Sequence, residues 1–159
     1  MIEVFTDGSA RGNPGNGGYG VLLRFNGIVK ELSEGFRLTT NNRMELLALI
    51  VGLEALKSTK HPIHVYSDSK YVIDSITKKW VYGWKQKGFK GKKNADLWDR
   101  FLNVSKDFNI TYHWVKGHAG HPENERCDVL AVNAAMSNEL KVDFFFEKLS
   151  KDESEGMFN

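Results

Sequence analysis

Four acidic residues in this 159-residue chain sit where packing and capping alone do not demand them. Asp7 closes the run Ile2-Glu-Val-Phe-Thr-Asp7, whose alternation reads as a strand, with Ile2, Val4 and Thr6 on one face and Glu3, Phe5 and Asp7 on the other. Asp68 closes a second such run, Ile63 to Ser67. Glu45 lies one turn into a leucine-rich helical stretch and, at about 100° per residue, projects near Leu49, Gly52 and Leu56 toward the buried side. Asp128 lies in a helical stretch otherwise rich in small residues. Each has an ordinary reading: an Asp-Gly turn at Asp7, a capping box Asn42-x-x-Glu45, an N-cap at Asp68, a solvated side chain at Asp128. Gathered at strand ends, however, four carboxylates would repel one another, and divalent cations relieve that repulsion. The only cysteine is Cys127, so an all-oxygen set favours Mg²⁺ or Mn²⁺ over Zn²⁺. Two such ions side by side can activate a water and stabilise the leaving oxygen of a phosphodiester. The residues alone therefore reach a metal-dependent nuclease.

The elements that must carry these acids follow from hydrophobic period and punctuation. Strands are expected over residues 2–7, 19–25, 28–37, 63–67 and 110–115, with Asn26-Gly27 as a tight hairpin turn. Helices are expected over residues 41–57, 69–77, 95–104 and 122–136, the last opened by Pro122. Gly8 ends the first strand in a turn, and the glycine-rich run Asn13 to Gly18 reads as a loop that brings backbone close to something. No Gly-Lys-Ser/Thr follows and a strand comes next, which argues against a phosphate-cradling P-loop. If the first and fourth strands are parallel neighbours, joined right-handedly through the first helix, Asp7 and Asp68 meet at one sheet edge. Lys116-Gly-His-Ala-Gly-His121 is a loop with two histidines.

Composition limits the alternatives. An apolar fraction of 41% and a charged fraction of 26% suit one globular domain with a real core. No apolar run approaches the ~18 residues of a membrane span, and the start lacks a signal-peptide pattern, so a cytoplasmic protein is expected. A lone cysteine permits no disulfide framework. The net charge of +2 hides a segregation. Lys78, Lys79, Lys85, Lys87, Lys90, Lys92 and Lys93 fall in a stretch free of acids and are interleaved with Trp80, Tyr82, Trp84 and Phe89. Cations with aromatics suit phosphates and sugar rings, although Trp80 and Trp84, four apart, could equally be core. Phe144 to Phe146 are expected to extend the packing, and residues 151–159 to fray.

Several strings carry a resemblance over residues 1–140. They are Phe5-Thr-Asp-Gly-Ser-Ala-Arg-Gly-Asn-Pro-Gly15, Gly17-Gly-Tyr-Gly20, Thr39-Thr-Asn-Asn-Arg-Met-Glu-Leu46, Ser67-Asp-Ser69 and Trp114-Val-Lys-Gly-His-Ala-Gly-His-Pro-Glu-Asn-Glu-Arg-Cys-Asp128. In this order they resemble bacterial-type ribonuclease HI. The resemblance implies an α/β fold, a mixed five-stranded sheet of order 3-2-1-4-5 with helices on both faces, over residues 1–140, followed by a C-terminal extension over 141–159. It implies hydrolysis of the RNA strand of RNA–DNA hybrids with two Mg²⁺ ions, or Mn²⁺, giving 5′-phosphate and 3′-hydroxyl ends; a monomer is expected. Asp7, Glu45, Asp68 and Asp128 match the family's metal ligands, and His118 matches a loop histidine assisting proton transfer or product release. Gly8, Asn13, Asn41 and Asn42 match positions near the substrate minor groove, and Thr40 one that holds a DNA phosphate. Trp80, Trp84, Lys85 and Lys87 match a basic handle that grips the DNA strand. His121 is read as a loop residue outside the chemistry. The handle, residues 85–94, is shorter than in the longest bacterial examples, and the extension has no family motif. A hybrid-binding module without catalysis would have no use for clustered acids, and a resolvase of the same fold lacks the glycine-rich first segment and the handle.

Overall fold

The computed structural model describes residues 1–57, 59–117 and 120–156. Strands β1 (Ile2–Arg11), β2 (Gly15–Phe25) and β3 (Ile28–Thr39) form an antiparallel meander. Helix α1 (Asn41–Ala55) leads to β4 (Ile63–Ser67), which lies parallel to β1 with Phe5 opposite Tyr66. Continuing that register sets Asp68 beside Asp7. Helices α2 (Lys70–Thr77), α3 (Trp80–Gln86) and α4 (Ala95–Ser105) precede β5 (Ile110–Trp114), parallel to β4, and α5 (Pro122–Ala135) follows it.

The expected order 3-2-1-4-5 is present, but the sheet has six strands, not five. The added strand, β6 (Leu140–Lys141), pairs parallel with β3 at Gly35 and Phe36 and comes from the extension. Helix α6 (Phe144–Gly156) then turns the expected frayed tail into ordered structure through Gly156. Its anchor is ionic rather than apolar, which a hydrophobic pattern cannot reveal. Arg43 is buried on α1, and its guanidinium donates to Asp143 at 2.7 Å and to Asp96 at 2.7 Å, while the Thr39 hydroxyl donates to Asp143 at 2.8 Å. A guanidinium out of water needs this double pairing.

The glycines correct a second expectation. The segment after Asp7 is not a loop: β1 runs on to Arg11, and β2 starts at Gly15. Gly18, Gly20 and Gly35 lie under α5, where an added Cβ would strike the backbone carbonyls of Ala131, Cys127 and Ala134. Glycine here means contact between backbones, with Cys127, Ala131 and Ala135 as the buried small face of the helix. The other face of the sheet carries the larger core. Val4, Val21, Leu23 and Val65 meet α1 residues Leu46, Leu49, Ile50 and Leu53, and Trp98 and Phe101 of α4 close it. Because sheet and α4 both press on α1, its buried surface extends nearly all round from Arg43 to Leu53, wider than the single stripe its leucines suggest.

Candidate metal centre and active site

β4 stops at Ser67, while β1 continues against β2 alone, leaving a notch at the carboxyl ends of the two parallel strands. Asp7 and Asp68 stand in it. Asp68 escapes the capping role because Ser69 takes it, accepting the Val72 N–H at 3.2 Å. The Asp68 carbonyl accepts the indole N–H of Trp114 at 3.0 Å, and Gly117 lies against its carboxylate.

Glu45 reaches the notch from α1. The cap of α1 is Thr40, whose hydroxyl accepts the Arg43 N–H at 3.2 Å, so the expected capping box does not form. The start of α1 crosses β1 at Gly8, where a Cβ would collide with the backbone of Met44 and Glu45. That approach lets the Gly8 N–H donate to Glu45 Oε1 at 2.9 Å as well as to Asp7 Oδ1 at 3.0 Å. Gly8 therefore admits the helix that delivers Glu45. One ligand oxygen from each of Asp7, Glu45 and Asp68 lies within 4.8 Å of the others. Asp128, from α5, joins Asp7 and Asp68 in lining the adjoining cleft, together with Gly117, His121 and Asn124.

The electrostatics suit a cation. Burial, followed by the charges of Asp68 and Asp128, raises the Asp7 carboxyl to about 7. Burial and then the charges of Asp7 and Asp68 push Glu45 well above the ordinary carboxylate range. Glu45 Oε2 is buried and has no hydrogen-bond partner among the described residues. Without a cation the cluster can relieve its repulsion only by taking up protons. Clustered oxygen ligands, one of them buried and unpartnered, fit a hard divalent ion.

The remaining sequence-predicted residues divide. Asn41 Oδ1 accepts the Ala10 N–H at 2.6 Å and Asn13 Oδ1 accepts the Asn41 N–H at 3.2 Å, tying the β1–β2 tip to the start of α1. Asn13, Thr40 and Asn42 wall a cavity of about 420 Å³ with Lys93 and Asn94. Its opposite wall is α6, through Phe146, Leu149 and Glu153, which no sequence motif announced. In the handle, Trp80 is exposed with Lys78 Nζ 5.3 Å from its ring centroid, whereas Trp84 is half-buried and packs edge-on against Trp98. Trp84 thus roots the handle in the core. Lys85 is paired with Asp99, and Lys87 is exposed. His118 lies outside the described residues. His121, read from sequence as a bystander, is the residue before α5 and borders the cleft. Asn124 was missed altogether, since an asparagine in a helix gives no periodic signal.

The ribonuclease H family model matches residues 1–136. The chain belongs to the ribonuclease H family. It is 54% identical over 147 residues to the ribonuclease H of Desulforamulus reducens, covering 89% of this chain and 92% of that one. It is 53% identical over 148 residues to that of Shewanella sp. strain ANA-3, covering 90% and 92%. Among solved structures it is similar to LC9-RNase H1, a type 1 RNase H with the type 2 active-site motif, at a TM-score of 0.75 and 34% identity over 84% of this chain and 71% of that one. It is also similar to LC11-RNase H1, solved in complex with an RNA/DNA hybrid, at a TM-score of 0.67 and 27% identity over 85% and 96%. The fold is the ribonuclease H-like α/β fold, and the protein is an enzyme of the nuclease class that this family comprises.

Proposed function

We propose that this ribonuclease H hydrolyses the RNA strand of RNA–DNA hybrids by a two-metal-ion mechanism, with Mg²⁺ or Mn²⁺, leaving 5′-phosphate and 3′-hydroxyl ends. The observation that carries the reading is the gathering of Asp7, Glu45 and Asp68 within 4.8 Å, two of them with raised proton affinity. Asp7 and Asp68 would hold the ions where the pairing of β1 with β4 stops, and Glu45 and Asp128 would complete the set from helices on opposite faces of the sheet. The bound ions supply water activation and charge neutralisation at the leaving oxygen. The Gly8 N–H aims Glu45 Oε1, leaving Oε2 for the cation. Glu45 also faces the 2′-hydroxyl, the group that tells RNA from DNA at a site. Gly8, Asn13, Asn41 and Asn42 border the minor groove, and Thr40 holds a DNA phosphate in the 420 Å³ cavity. Trp80, Trp84, Lys85 and Lys87 present the handle to the DNA backbone. His118 moves a proton or assists product departure, a task for which an imidazole is chemically suited.

We infer a monomer, and a cytoplasmic location fits the lone buried cysteine. No helix among the described residues is long and apolar enough to cross a membrane. The test is cleavage of a hybrid labelled separately on its RNA and DNA strands, with Mg²⁺ and with EDTA, and with the product ends identified by mass. RNA-strand products only, and only with metal, are expected. Equal cutting of plain duplex DNA would replace this reading with a resolvase.

A further inference from the structure

Asn124 lies one turn before Asp128 on α5, and its amide nitrogen spans the mouth of the notch. Nδ2 donates to the Tyr66 carbonyl at 3.0 Å and lies 3.4 Å from the Thr6 carbonyl. The Tyr66 carbonyl lies near the end of β4, and the Thr6 carbonyl lies within β1 where its pairing with β4 stops. Thr6 directly precedes Asp7, and Tyr66 precedes Asp68 by two residues. Because both neighbours are acceptors, the amide has only one orientation that satisfies them. That orientation fixes Oδ1 as well. Oδ1 is shielded from solvent and has no partner among the described residues. Native folds seldom leave a buried amide carbonyl unpaired, and when they do an absent water or ion is a recurring reason. The cleft that Asn124 lines with Asp7, Asp68 and Asp128 has a free volume of about 10 Å³, near that of one water.

We propose that Asn124 is a positioning residue of the carboxylate site: its amide nitrogen ties β1 to the end of β4 where their pairing stops, and its carbonyl oxygen holds a water in the cleft beside the cation. This rests on the divalent-metal reading given above. The nitrogen sets the spacing between Asp7 and Asp68, because it grips the backbone on which each is mounted. The oxygen orients hydrogens of the water without ligating the metal itself. Such outer partners of a metal site typically change affinity or activity by about ten- to a hundredfold when removed.

The test uses the full chain and reads Mn²⁺ binding by the loss of the free-ion EPR signal, without hybrid, for the parent protein, Asn124→Ala and Asn124→Asp. Asn124→Ala is expected to bind Mn²⁺ at least about tenfold more weakly. With Mg²⁺ and hybrid, its kcat should fall while KM stays within about threefold, since no substrate contact is removed. Unchanged Mn²⁺ affinity in a variant that is merely less stable would make Asn124 a structural residue and overturn the proposal. Asn124→Asp keeps the side-chain size and adds a fifth carboxylate. Its carboxylate cannot donate to the Thr6 and Tyr66 carbonyls, so Mn²⁺ should raise its melting temperature less than the parent's, and an equal rise would also overturn the proposal, even if Asn124→Ala failed to fold. The parent's cleavage of hybrid is scored separately. A parent that binds Mn²⁺ but leaves hybrid intact refutes the ribonuclease reading and not the role of Asn124 at the cation site.

Discussion

Replacing Asp7 with Asn should destroy activity and stabilise the metal-free protein. In the fold the Asp7 carboxyl keeps its proton up to about 7, against an ordinary value of 3.8. The folded state therefore binds more protons than the unfolded state between those two values. Stability must fall as pH rises from about 4 to about 7 and then level off. About three decades of proton affinity at about 1.4 kcal/mol each set an upper limit of about 4 kcal/mol above pH 7. Asn is nearly isosteric and keeps an oxygen for the Gly8 N–H, which Asp7 Oδ1 accepts at 3.0 Å. Asp7→Asn in EDTA at pH 8 should thus gain about 2–4 kcal/mol, or about 5–15 °C in melting temperature for a chain of this size. At pH 4 the gain should vanish. Added Mg²⁺ should narrow the gap at pH 8, because the parent's carboxylates then have a cation. Cleavage of hybrid should drop on the order of a thousandfold, the several kcal/mol that metal ligation supplies. Urea melts at both pH values in EDTA decide the matter. A variant no more stable than its parent at pH 8, or equally stabilised at pH 4, would refute the claim that buried repulsion defines this cluster.

Asp143→Ala leaves half of the buried Arg43 guanidinium unpaired and should cost about 3 kcal/mol in denaturant melts, with α6 losing hydrogen-exchange protection. Gly20→Ala drives a methyl into the Cys127 carbonyl and should lower stability by about 1–3 kcal/mol, and it should cut kcat more than KM by displacing Asp128, as steady-state kinetics would show. Lys87→Ala should weaken hybrid binding and reduce the slope of log affinity against log salt by about 1, whereas Lys85→Ala, already paired with Asp99, should change it less.

The framework was legible because its signals are periodic. β4, the α2 cap region and the start of α5 fall where alternation, Ser69 and Pro122 put them. The four acids were legible as anomalies, and the resemblance gave them one purpose. What escaped was non-periodic. The glycines of β2 looked like a loop because close backbone packing and chain flexibility call for the same residue. α6 looked like a frayed tail because its attachment is a buried ion pair between positions 43 and 143, which no local window contains. Asn124 works through two backbone carbonyls, and backbone carries no sequence signal.

The seating of α5 on Gly18, Gly20 and Gly35 has a consequence for heat. Glu45 is borne by a helix wedged between the sheet and α4, with large side chains on both sides. Asp128 and Asn124 are borne by a helix whose buried residues are Cys127, Ala131 and Ala135. Close backbone contact fixes a position well, yet it buries little apolar area, and resistance to opening scales with that area. The two halves of the centre are thus fastened with unequal strength. On warming, α5 should lift first and carry away one carboxylate while the other three stay gathered, so that catalysis fades at a temperature where most of the molecule is still folded.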